Sequence, residues 1–159
     1  MYDAEDLELT NQADRLLEMA AKNMGKDGYL VPTGVIYKPD GEAMVCGLPF
    51  ASTSGKQKCF QVFRSIAREK NAIAVAFVSE AWVATRNEST VDLGEVASPS
   101  QSLDREEAVV VTVITPDNSV VRMAPILRDG EEFRCLGEVE DGDVIDAEFS
   151  RGIWQHTIH

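Results

Sequence analysis

Residues 72–84 read AIAVAFVSEAWVA. The run is apolar almost throughout and rich in β-branched and aromatic side chains at its centre. A strand with one wet face would alternate apolar with polar, so this pattern predicts a strand covered on both faces, at the middle of a sheet.

The segment just upstream repeats with a different period. Ser52, Thr53 and Ser54 offer N-cap hydroxyls, and Cys59, Phe60, Phe63, Ile66 and Ala67 then recur at helical spacing as far as Asn71. A helix is predicted there. Further back, residues 29–37 and 42–48 are β-branched or apolar runs separated by Lys38-Pro39-Asp40-Gly41, where proline presets a turn dihedral and glycine tolerates positive φ. These form a hairpin. Pro32 has no N–H to give a ladder, so its strand is expected at an edge or with an irregular start. Residues 3–24 place Leu9, Ala13, Leu16, Leu17, Ala20 and Met24 three and four apart, with Glu5, Asp6 and Glu8 at the beginning, Lys22 and Lys26 at the end, and Gly25 as the stop. This is the first helix.

Downstream, residues 85–105 are rich in Ser, Glu and Asn with no sustained period, far longer than the usual connection of about 4–6 residues. The VDLGEV portion of that loop has the composition of a short strand. Residues 107–115, 120–127 and 132–139 then alternate across the compact turns Pro116-Asp117-Asn118 and Asp129-Gly130, which predicts a three-strand meander. Asp141-Gly142-Asp143 reads as another turn and residues 144–149 as a further strand.

The resulting order is α-β-β-α-β-β-β-β. The fold class is α+β, a mainly antiparallel sheet of six to seven strands with two amphipathic helices. Irregular alternation of strand and helix disfavours a doubly wound parallel sheet and its cofactor crevice. Residues 1–159 are expected to form one domain, with a long loop at 85–105 and a mobile tail at 150–159.

Fifteen basic against 27 acidic side chains give a net charge of -12, which repels nucleic-acid phosphates and anionic lipid. Neither is expected as a partner. Cys46, Cys59 and Cys135 are odd in number and widely spaced without a CxxC pair, so a reducing compartment is expected rather than a disulfide framework or zinc site. The N-terminus lacks signal-peptide order and no run approaches a membrane span, which points to the cytoplasm.

Five groups are candidates for chemistry. Alternation along residues 72–84 puts Glu80 on the face of Ala76, Val78 and Trp82, where desolvation would suit a general acid or base; the competing role is a structural ion pair with Arg122 or Arg134. Ser102-Leu103-Asp104-Arg105-Glu106-Glu107 packs three acids near a strand entrance, so Asp104 or Glu106 could join Glu80 around a hard cation, although only alternate side chains of a strand share a face. Ser54, Gly55 and Lys56 open a helix and resemble an anion-binding terminus, but a phosphate-loop motif fails at Phe50 and Gln57, and ordinary capping accounts for the same residues. Cys59 falls on the apolar stripe of its helix, and Cys46 and Cys135 lie within strand patterns, so all three read as small core residues. His156 and His159 stand alone near the end, and Trp154 is the candidate anchor that docks the terminus onto the domain or onto a second subunit.

No complete signature of a known chemistry is present, and no cofactor or metal is expected. The best-fitting reading is a non-catalytic binding or regulatory domain that engages a protein partner or itself through exposed strand edges, the long loop and Trp154. The alternative is a small hydrolase or transferase using Glu80 with Asp104 or Glu106, directly or through a divalent metal. A second alternative is an acidic decoy for a DNA-binding protein.

Overall fold

A computed structural model describes residues 8–49, 52–84, 105–142 and 148–154. Helix α1 (Leu9–Asp27) buries Ala13, Leu16, Leu17, Ala20 and Met24, the stripe that its spacing requires. It does not stop at Gly25. The stop is Gly28, at φ 82, whose N–H donates to the Met24 carbonyl at 2.7 Å. Gly25 keeps helical geometry, since nothing in the chain there demands positive φ.

Strands β1 (Thr33–Tyr37) and β2 (Ala43–Gly47) form the expected hairpin, with Gly41 at φ 89 and the Lys38 N–H donating to the Glu42 carbonyl at 2.9 Å. Pro32 stands just before β1, so its missing donor interrupts no ladder, and the strand it precedes is interior. Helix α2 (Thr53–Glu69) starts where Ser52 Oγ accepts the Gly55 N–H at 3.1 Å.

The remaining strands are β3 (Ala74–Ala84), β4 (Arg105–Ile114), β5 (Ser119–Asp129), β6 (Glu132–Leu136) and β7 (Glu140–Gly142). They join the first two in one antiparallel sheet of order β2-β1-β3-β4-β5-β6, with β7 beside β6 on the outer edge of β5. The α+β class and the meander therefore stand, and β3 is interior.

Its two faces are covered by different helices. Ala74, Ala76 and Val78 join Val35, Tyr37, Val109, Val111 and Val113 against α1. The alternate residues Val75 and Phe77 join Ile36 and Ile114 against Phe60, Phe63 and Ala67 of α2. The period-2 geometry of a strand makes these opposite faces, so the run of residues 72–84 is apolar because each parity meets its own helix. On the α2 side Phe149 fills the remaining space, stacked on Phe77 at 5.3 Å between centroids, while the Phe60 ring meets Phe77 edge-on at 5.2 Å.

The C-terminal strand lies earlier in the chain than the pattern predicts. Asp141 and Gly142, read as a turn, belong to β7 and pair with Arg122 and Val121. Glu148 and Phe149, read as strand, lie in a 3-10 turn spanning Glu148–Ser150, and residues 143–147 fall outside the described residues. A three-residue acidic strand has no apolar alternation to betray it; backbone pairing and the Arg122–Asp141 contact hold it instead.

Candidate functional site

Glu80 lies opposite Val109 in the β3–β4 register, on the α1 face, as its parity predicts. It is ion-paired, but with neither expected arginine. Arg128, at the far end of β5, places Nη2 at 3.4 Å from Glu80 Oε1 and donates from Nε to Glu107 Oε2 at 2.9 Å. The other Glu80 oxygen accepts the Leu30 N–H at 3.3 Å. Arg128 also donates from Nη1 to the Glu131 carbonyl at 3.2 Å. One guanidinium thus ties β3, β4 and the β5–β6 turn together. Both Glu80 oxygens are engaged, so the arrangement suits a structural clasp better than a proton-transfer site.

The other candidates do not gather around it. Glu106 is exposed and, one residue from Glu107, points to the opposite face. Asp104 lies outside the described residues, as do the VDLGEV segment, His156 and His159. Arg122 is engaged with Asp14 of α1 at 3.1 Å and with Asp141 of β7, fastening the first helix to the sheet. Arg134 is exposed on β6. Among the described residues no group of three or more His, Cys, Asp or Glu side chains stands where it could hold a metal ion. Of the three acids in the cluster before and within β4, the one that stands with Glu80 is Glu107 rather than Glu106, because it shares strand parity with Val109 and hence the face of Glu80.

At the start of α2, Ser54 is exposed and the Gly55 amide is already taken by Ser52. Lys56 folds back so that its Nζ sits 5.6 Å from the centroid of the Phe60 ring. Capping and packing account for the Ser54, Gly55 and Lys56 positions. Trp154 is half-buried against the α2-side core and donates from Nε1 to the Ala72 carbonyl at 2.8 Å, with Ile153 buried beside it. Of the two roles expected of Trp154, its contacts are those of docking onto its own domain. Cys46 and Cys59 pack against the same core, as expected, whereas Cys135 is exposed. Cys135 lies on β6, the outermost strand at that end, where no helix among the described residues covers the face it points to.

The most open feature is backbone. The Glu42 carbonyl accepts from the Lys38 N–H and the Leu48 N–H donates to the Pro32 carbonyl at 2.7 Å, partners that stand just after and just before β1. Antiparallel alternation then turns Met44 and Cys46 toward β1 as well, and leaves the N–H and C=O groups of Ala43, Val45 and Gly47 pointing out of the sheet. Among the described residues nothing pairs with them. Val45 is 59% exposed and Gly47 has open space where a Cβ would stand. Residues 43–48 read AMVCGL, without charge or proline, and their register with β1 is unbroken. The opposite edge is protected: the β5–β6 register shifts between Leu127 and Arg128, β6 carries Glu132 and Arg134, and β7 is short and acidic.

These elements define an α+β protein: an antiparallel sheet with a helix on each face and, among the described residues, one unpaired and uncharged edge. The chain belongs to the family described as bacteriophage lambda protein ea47, whose family model matches residues 1–158. That description states no activity. No curated protein and no solved structure matches the chain. No helix among the described residues is long and apolar enough to cross a membrane.

Proposed function

We propose that the chain is a non-catalytic binding domain that accepts a strand from a protein partner, or from its own kind, along the outer edge of β2. The observation that carries the reading is the row of outward amides and carbonyls at Ala43, Val45 and Gly47. Main-chain bonds give such a contact its affinity, and the flanking side chains give it selectivity. An edge without lysine, proline or bulge is what folded proteins ordinarily avoid unless it is used. The three cysteines are free, in keeping with work in a reducing compartment such as the cytoplasm. The net charge of -12 favours protein over nucleic acid as the thing bound.

A photo-crosslinking amino acid at Val45, compared with one at Glu132 on the protected edge, tests this in cells that express the chain. The expected result is a protein adduct of raised mass from position 45 alone. Equal adducts from both positions, or none from 45, would overturn the proposal.

A further inference from the structure

The same edge says what kind of strand it takes. We infer that β2 pairs antiparallel with β2 of a second copy about a two-fold axis at Val45, joining two sheets into one; this rests on the strand-addition reading above and names its occupant.

Self-pairing follows from what the edge presents. In that register Val45 lies opposite Val45 of the second copy, Ala43 opposite Gly47, Met44 opposite Cys46 and Glu42 opposite Leu48. The outward groups fall at Ala43, Val45 and Gly47, so the donor and acceptor row reads the same after the two-fold rotation. Each opposed pair of outward residues exchanges two bonds, about six in all. Ala43 and Gly47, which share the face of Val45, are the smallest residues in the strand, so two β2 strands reach ladder spacing unhindered, and each Val45, 59% exposed alone, covers the other.

Charge selects the location. Two bodies of net charge -12 repel wherever their carboxylates meet. About Val45 no carboxylate opposes another, because Glu42 faces Leu48 and the strand between is neutral. A two-fold across β7 would set Glu140 and Asp141 against their own copies, and one centred on β6 would set Arg134 against Arg134. Docking through β2 is thereby the approach with least repulsion, and salt should tighten it by screening the remaining charge, the reverse of an ion-paired interface.

Sedimentation equilibrium of the purified full chain tests the inference. Wild type is expected to be a dimer that tightens as salt rises. Val45→Lys and Val45→Asp are each expected to be monomeric and to melt where dilute, dissociated wild type melts, and an equimolar mixture of the two should recover dimer, since position 45 meets itself. Amide exchange provides a second measurement that needs no variant: the Ala43, Val45 and Gly47 N–H groups should be protected in concentrated wild type and exchange on dilution. A wild type that stays monomeric, or a dimer indifferent to Val45→Lys, overturns self-pairing. If wild type is monomeric while position 45 still crosslinks to a different protein, strand addition stands and only the second copy is excluded. If neither occurs, both readings fall.

Discussion

Arg128 reaches Glu80 from two strands away: its Nη2 on β5 lies 3.4 Å from Glu80 Oε1 on β3, with β4 between them. Because Glu107 shares the same guanidinium, the cation separates two carboxylates that would otherwise repel. Arg128→Ala is expected to destabilise the fold by about 1–2 kcal/mol, while Glu80→Gln, which keeps an acceptor for the Leu30 N–H, costs less than about 1 kcal/mol. The side chains are a quarter to a third exposed, at 24% and 30%, which keeps both figures small. Urea unfolding of the two variants and their double mutant checks this; an Arg128→Ala cost no larger than that of Glu80→Gln would refute the shared clasp.

Gly34 is fixed by a neighbour rather than by a turn. A Cβ there would stand 2.7 Å from Phe63 Cδ1, and Phe63 is buried among the aromatics that join α2 to the sheet. Gly34→Ala should therefore cost about 1–3 kcal/mol as an overpacked core. Adding Phe63→Leu should return part of that loss, measured as the midpoint of chemical unfolding. Independent, additive effects would show that the two sites do not touch.

Burial pushes the Tyr37 hydroxyl up to about 12, against a partial lowering by the nearby Arg15 charge. Its ordinary value is 10.0, so above that pH the unfolded chain releases a proton that the folded chain retains. Stability from this group is complete below pH 10 and is lost as pH rises toward 12. Two pH units correspond to roughly 2–3 kcal/mol. Tyr37→Phe should flatten this alkaline decline; an unchanged slope would assign it elsewhere.

Thiol reactivity should follow exposure. Cys135 is exposed, whereas Cys46 is half-buried with its pKa raised by desolvation, so less thiolate is present at neutral pH. A disulfide reagent is expected to modify Cys135 first in the native protein, and Cys135→Ser should abolish that fast phase. A fast phase that survives this substitution would place the reactive thiol elsewhere.

Two periodicities made most of the architecture legible. The three-four spacing from Leu9 to Met24 and the uninterrupted apolar run from Ala74 to Val78 each describe what their side chains must contact, so helix and central strand could be read directly. Pattern failed where contact is not apolar. Glu140–Gly142 holds its place by backbone pairing and one ion pair, and Cys135 is exposed on β6 although it lies within a strand pattern. Alternation places Glu80 on its correct face but does not name its partner. Register decides which arginine lies within reach, and Arg128 sits at the last turn of its strand, beyond the apolar stretch that marked it. The open edge was visible only as an unguarded sequence, since which residues turn outward depends on which carbonyls bond β1.

The crossover of α2 between β2 and β3 also dictates an order of assembly. β4 and β5 meet through a tight turn at residues 115–118, whose Asn118 N–H donates to Thr115 Oγ1 at 2.9 Å. The β1–β3 ladder, in contrast, joins Val35 to Ala76 across a hairpin and a whole helix, a closure that costs far more chain entropy. Amides of the β4–β5 pair should gain protection from pulse-labelled exchange before those of β1. The nascent molecule then completes its interior last, from the N-terminal side.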